Sequence, residues 1–286
     1  MRKNRKEIEF TFPVQYFAYG CAFFNDPIPE RGFKGLQKKM LTLNAANTVI
    51  ACMHPSNIGF AGGVPWSANS PYIDYVRAWG SVPRMKKIIE EHIAPLIEIA
   101  HTVGMRVIYL ISGWDCAKKY PQYREIAGRV PETISKLPLS VYRDWEKEYN
   151  EEWNGPGYSG GAKDVQSVLD IAPPIAPQPQ DWVVTTTAQA TTLLHENGIW
   201  NILYTGFATG GCLVWSEGGL LAMRALGYRK IVLRDCTLHG ETAETSPNME
   251  LTRSALLMIE RSGLAYTASG RDVQSAIESA KITKIK

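Results

Sequence analysis

From Asp181 to the C-terminal helix the chain repeats one pattern. Short apolar runs rich in β-branched residues ("DWVVTT", "WNILYTG", "RKIVLRD", "LAYTA") alternate with segments of helical period ("QATTLLHENG", "CLVWSEGGLLAMRALG", "PNMELTRSALLMIERSG", "GRDVQSAIESA"). Runs this short and this apolar read as strands buried on both faces. Strands alternating with helices lay down a parallel sheet. An earlier unit repeats the theme: "NTVIACM" ends in the turn residues His-Pro-Ser-Asn, "PRMKKIIEEHIAPLIEIAHTVG" has helical spacing and stops at Gly104, and "MRVIYLIS" is a second strand. The six strands predict an α/β fold: a doubly wound, mainly parallel six-stranded sheet with helices on both faces, Rossmann-like in three layers, in the order 3-2-1-4-5-6.

What lies outside this pattern sets the domain plan. Residues 1–44 read as an N-terminal arm with short extended pieces, and 45–286 as the α/β domain. Residues from about 113 to 180 read as an insertion, with "GPGYSGG", the proline-rich "APPIAPQPQ" and the aromatics Tyr120, Tyr123, Tyr142, Trp145, Tyr149 and Trp153. Those aromatics fit a pocket cap or an oligomer contact. The net charge of +3 has no basic stripe interleaved with aromatics, which argues against nucleic acid. No apolar run is long enough to span a bilayer, and "EIEFTFPVQYFAYG" alternates and carries charge instead of forming a signal-peptide core. The expectation is a soluble, cytoplasmic protein. Its five cysteines are odd in number, widely spaced and without a CxxC pair, against a disulfide framework or a cysteine zinc site.

In doubly wound sheets ligands bind at the carboxyl ends of the strands. "WNILYTG" ends at that rim, and Cys212 follows the Gly-rich turn "FATGG" at the start of a predicted helix over 212–227. A thiol in a first helical turn meets unpaired N–H groups and the positive end of the helix dipole, which favour the thiolate. Gly210 and Gly211 let a substrate approach the backbone. Inert packing is the other use of a buried cysteine, and position alone leaves both readings open. A phosphate cradle fits poorly, since the turn has neither a following Lys-Ser/Thr nor a GxGxxG pattern.

The stretch "ILYTGFATGGCLVWSEGGLLAMRALGYRKIVLRDCT" resembles the isochorismatase-like cysteine hydrolases, a superfamily that includes nicotinamidases and other small-amide hydrolases. The matching residues are Gly206, Ala208, Thr209 and Cys212, then Leu226–Tyr228, "KIVLRD" and Asp235. The resemblance runs from about Ala45 to Ala280, the insertion excepted. It implies a Cys–Asp–Lys triad with Cys212 as nucleophile and a cis peptide between Phe207 and Ala208. It also implies an oxyanion site built on the Ala208 and Cys212 N–H groups, with Thr209 and Gly211 in the same turn. It further implies a small-molecule substrate, an amide or related carbonyl, no cofactor, and a homo-oligomer.

The chain departs from that pattern at two places. Cys52 stands where the triad aspartate belongs, His54 follows two residues later, and Thr185 or Thr186 takes the place of the lysine. His54, Asp115 and Glu217 are alternative bases. Cys52 is a second thiol at the same rim, able to pair with Cys212 if their Cα atoms come within about 7 Å. His239 and Glu241 follow the fifth strand at the correct rim as pocket-lining candidates. Trp114 and Asp115 follow the second strand without the histidines of a metal cluster, so no metal is expected. Two functions follow: a cofactor-independent cysteine hydrolase of C–N bonds, or a superfamily member that lost its triad and serves as a binding or structural subunit.

Overall fold

The computed structural model describes residues 8–19, 34–73, 82–130 and 163–285. Strands β3 (Thr48–Met53), β4 (Arg106–Leu110), β5 (Trp182–Val184), β6 (Asn201–Phe207), β7 (Arg229–Leu238) and β8 (Tyr266–Ala268) form a parallel sheet. Their spatial order is β8-β7-β6-β3-β4-β5. This is the predicted 3-2-1-4-5-6 arrangement, and the chain reverses direction of travel between β3 and β6.

Helix α1 runs from Val82–Ile88 through a π turn at Ile89–Ile93 into Ala94–Thr102. It covers one face of the sheet together with α6 (Gly270–Ile285). Helices α2 (Pro121–Arg129), α3 (Thr187–Glu196) and α5 (Glu250–Arg261) cover the other. The strands divide their side chains between the two faces with period two. Ile50, Cys52, Val107 and Tyr109 belong to the first core cluster, while Val49, Ala51, Met53, Ile108 and Leu110 belong to the second. Every residue of β3 and β6 is buried, as expected for strands with a covered sheet on both sides.

Two elements differ from the sequence expectation. Within the supposed irregular arm, β1 (Glu9–Ala18) and β2 (Gly35–Asn44) form an antiparallel hairpin, and β1 joins the sheet beside β8 through Gln15 and Thr267. The sheet therefore has eight strands among the described residues, not six. The physical cause is the period-two run Phe10, Phe12, Val14, whose side chains are buried in the core cluster on the α1/α6 face. The predicted helix over 212–227 is one turn only, α4 (Cys212–Trp215), followed by turns and a 3-10 segment at Arg224–Leu226. Gly218 stops it: at φ 70° the residue packs where a Cβ would lie 2.7 Å from Leu110 Cδ2, and its carbonyl accepts the Tyr204 hydroxyl at 2.7 Å. Two consecutive glycines carry too little helix propensity to resist that pull.

The return leg of the insertion docks on the turn after β3. Asn57 N–H donates to the Asp170 carbonyl at 2.8 Å, Asp170 N–H donates to Asn57 Oδ1 at 3.0 Å, and Ser56 bridges Ile171. Tyr120 donates its hydroxyl to Asp170, tying both legs of the insertion together. Tyr142, Trp145, Tyr149 and Trp153 lie outside the described residues.

Candidate active site

The site forms where β3 and β6 end side by side, at the centre of the sheet. Gly206 makes that ending close: at φ 96°, a Cβ there would fall 2.1 Å from the Met53 carbonyl oxygen. The chain after β6 then turns sharply through a cis peptide between Phe207 and Ala208. The turn is anchored to β7 from below. Thr209 N–H donates to the Leu238 carbonyl at 3.0 Å, its hydroxyl meets that of Thr237 at 2.9 Å, and Thr237 in turn donates to the Gly206 carbonyl at 2.7 Å. The Ala208 carbonyl accepts the N–H groups of Gly211 and Leu213, both at 3.1 Å, which closes the turn and starts α4.

This brings the half-buried sulfur of Cys212 into the electrostatic reach of the imidazole of His54. His54 occupies the first position after β3 with φ 43°, a left-handed conformation usually left to glycine. Its N–H donates to the Leu110 carbonyl at 3.0 Å and its carbonyl accepts Ser56 N–H at 2.9 Å, so the backbone on both sides holds the turn. The ring stacks on Trp114, centroids 5.3 Å apart at 22°, and its Nε2 lies 3.4 Å from Ser112 Oγ. Burial alone would push the Cys212 thiol up. The hydrogen bond and charge of His54, the Ser216 hydroxyl and the Ala208 N–H outweigh it and bring the thiol down to about 7. Among the described residues the Cys212 N–H has no hydrogen-bond partner. Trp215, three residues along α4, stands 71% exposed with its indole N–H held by the Gly210 carbonyl at 3.2 Å.

The remaining candidates are distributed as follows. Cys52 is fully buried in the α1/α6-side core cluster, whereas Cys212 borders the opposite one. It accepts the Thr205 hydroxyl at 3.2 Å, and burial pushes its thiol up to about 12. Both thiols are free, and Cys52 shares its core cluster with Trp114 and Phe207. Phe207 is buried in the same cluster as Cys52, Thr209 is fully buried under the turn, and Gly211 precedes α4. Asp115 is exposed and paired with Lys118 at 2.8 Å. Glu217 accepts the N–H and hydroxyl of Thr187 at the start of α3. The ring of His239 lies against Gly210, and burial depresses its basicity. Glu241 accepts the N–H groups of Leu251 and Thr252 at 3.1 and 2.7 Å, capping α5. Thr185 is buried, donating its N–H to Gln189 Oε1, and Thr186 caps α3. Among the described residues no three His, Cys, Asp or Glu side chains gather into a group that could hold a metal ion.

Sequence reasoning gave no role to Ser112, Trp114 or Ser216. The first two directly follow β4, next to β3 in the sheet, so the carboxyl-end rule already placed them at the site. Ser216 lies one turn beyond Cys212, within reach of its sulfur by helical spacing.

No protein-family model matches the chain. Among curated proteins, the ureidoacrylate amidohydrolase RutB of Pantoea ananatis (strain LMG 20103) is 30% identical over 149 residues, covering 49% of this chain and 53% of that one. The chain thus spans about half the length of that relative. Among solved structures, a cysteine hydrolase from Pseudomonas syringae pv. phaseolicola 1448A matches at 15% identity and TM-score 0.49, covering 83% of this chain and 95% of that one. An isochorismatase family protein from Burkholderia thailandensis matches at 19% identity and TM-score 0.42, over 82% and 96% of the two chains. The chain is similar to the isochorismatase-like cysteine hydrolases. Cys52 and Thr185 are buried, and Thr186 caps α3. Among the described residues, His54 is the basic side chain that lowers the Cys212 thiol. No helix among the described residues is long and apolar enough to cross a membrane.

Proposed function

We propose that the protein is a cofactor-independent hydrolase that cleaves the C–N bond of a small, non-peptide amide or ureide. In this reading Cys212 is the nucleophile and His54 its acid–base partner. The observation that carries the proposal is the meeting of His54 and the half-buried Cys212 sulfur where β3 and β6 end, with the thiol brought down to about 7. The relative named as a ureidoacrylate amidohydrolase supports the bond class.

The thiolate adds to the substrate carbonyl carbon, and the carbonyl π electrons move to oxygen. The Cys212 N–H, without a partner at rest, donates to that oxyanion. The Ala208 N–H, which holds the resting sulfur, follows the negative charge from sulfur to oxygen. The intermediate collapses, the C–N bond breaks, and the imidazolium of His54 gives its proton to the departing nitrogen. A thioester and a neutral His54 remain. His54 then takes a proton from water, the hydroxide adds to the thioester, and the acid leaves as the thiolate–imidazolium pair re-forms.

His54 therefore does the proton transfers that the resemblance assigns to an aspartate. Two residues later than the aspartate position, it turns back to the sulfur through its left-handed backbone. Five cysteines without a CxxC pair suit a reducing cytoplasm, and the aromatic insertion suits contact between identical subunits.

The test is ammonia or amine release from a panel of ureidoacrylate, N-carbamoyl amino acids, nicotinamide and simple aliphatic amides. It is combined with mass spectrometry of the rapidly quenched enzyme. Turnover with an acyl adduct on the Cys212 peptide is expected. A protein that turns over none of the panel and alkylates at Cys212 no faster than a free thiol is not this enzyme, and a binding or structural subunit becomes the better description.

A further inference from the structure

Two side chains beside His54 do no chemistry in the mechanism above, yet both touch its ring. Trp114 is 7% exposed and lies face to face with the imidazole at 5.3 Å. Ser112 Oγ lies 3.4 Å from Nε2. They come from one tight turn after β4, in which Trp114 N–H donates to the Ile111 carbonyl at 3.1 Å and Gly113 takes φ 76°. Gln166, from the return leg of the insertion, accepts Asp115 N–H at 2.9 Å and donates to the Gly113 carbonyl at 2.9 Å, which locks the turn from outside.

We propose that Trp114 and Ser112 are positioning residues that hold the ring of His54 facing the Cys212 sulfur. This rests on reading Cys212 and His54 as the reacting pair. An indole face attracts a cation stacked on it, so Trp114 steadies the ring where it stands when it carries the proton taken from the thiol. Ser112 fixes the rotation of the ring within the plane that Trp114 sets. A base oriented by a third group is the usual logic of an activated nucleophile. Here the third group is an aromatic face and a hydroxyl, neither of them ionised.

The other ionisable groups around the turn are engaged elsewhere. Asp115 pairs with Lys118, and Asp170, on the segment docked at residues 55–57, is bound by Tyr120 and Lys119. Cys52 is fully buried in the cluster that also holds Trp114, and burial pushes its thiol up to about 12. His239 lies across Gly210, and Glu241 is bound to α5. Cys212 is the ionisable partner that the ring meets directly.

The experiment is the pH dependence of carboxymethylation of Cys212, followed by peptide mapping on the full chain. It compares the parent with Trp114→Leu, Trp114→Phe, Ser112→Ala and Ser112→Thr, each checked for folding by thermal melting. Trp114→Leu should raise the thiol midpoint by about one pH unit and Trp114→Phe by about half of that, the scale of a cation–π contact. Ser112→Ala should slow alkylation at pH 7 by about threefold, with Ser112→Thr restoring it, as expected for loss of one weak orienting hydrogen bond. If Trp114→Leu does not fold, the Phe and Ser112 variants decide. Parent-like midpoints and rates in all the folded variants overturn the proposal. Alkylation needs no substrate, so an inactive amide panel would remove the hydrolase reading without touching this result. Unmoved midpoints in an active enzyme would remove only the positioning roles.

Discussion

His54, in the turn after β3, acts directly on the sulfur of Cys212, in the turn after β6, at the centre of the six parallel strands. The contact brings together a base and a thiol that the sequence separates by more than half the chain. It exists because Gly206 lets the two strands end in backbone contact.

The first consequence concerns which thiol reacts. Cys212 stands near 7, while burial pushes Cys52 and Cys116 up to about 12 and Cys236 upward too. Iodoacetamide at pH 7 should therefore modify the Cys212 peptide at least about tenfold faster than those three in the folded protein. With urea the four should become alike. Fast labelling of Cys52 before unfolding would contradict the sealed position of that residue.

Removing the imidazole should undo the activation. In His54→Ala the Cys212 alkylation midpoint should climb from about 7 toward the ordinary thiol value of 9.0, since burial still acts and its main opponent is gone. Hydrolysis at neutral pH should fall by about 10²–10⁴-fold, the usual yield of a positioned acid–base group. A His54→Ala enzyme with parental kcat would move the base elsewhere.

Two glycines with similar backbone should respond differently to alanine. Gly104→Ala meets open space at φ 76° and should cost about 1–2 kcal/mol, the left-handed penalty alone. Gly206→Ala also places a Cβ 2.1 Å from the Met53 oxygen, an atom of the central strand that cannot step aside. A loss of about 3 kcal/mol or more is expected from overpacking added to that penalty, read as the shift in urea midpoint.

Glu241 links acid stability to the rim. Burial would raise its carboxyl, but the N–H of Thr252, the hydroxyls of Thr245 and Thr252, and the N–H of Leu251 hold it below the ordinary 4.5. A carboxyl lowered by folding stabilises fully above its unfolded value, and that contribution disappears as pH falls through the folded one. Glu241→Ala should thus cost about 1 kcal/mol at pH 7, typical of a lost helix cap. The difference from the parent should shrink below pH 4.5. A pH-independent difference in Tm would mean that the charge of Glu241 is not what caps α5.

The parts of the fold that were readable in advance share one property. The six parallel strands are buried on both faces, so their β-branched runs are set by local composition. The hairpin is different. Phe10, Phe12 and Val14 alternate visibly, but their partner strand reads "GLQKKMLTLN", with a single buried residue, Leu43, and gives no apolar period to match. The pairing is a long-range fact. The shortened α4 shows the opposite error: "LLAMRALG" has helical propensity, yet the contact of Gly218 with Leu110 and Tyr204 overrides it. At the site, the rim rule placed Cys212, Cys52, His54 and Asp115 in one neighbourhood. Burial then set Cys52 apart, and the Lys118 pair set Asp115 apart. The stacking of His54 on Trp114 depends on ring rotation, which no spacing in the sequence encodes.

The central placement of β3 and β6 also bears on how the chain is made. While a ribosome is still delivering the residues before β6, the thiol's partner is already built into the polypeptide but has nothing to activate. The sulfur arrives late and stays an ordinary thiol, no more reactive than any other, until the parallel strands close around it. A misfolded or truncated copy therefore carries no armed nucleophile, and reactivity itself becomes a report of correct assembly.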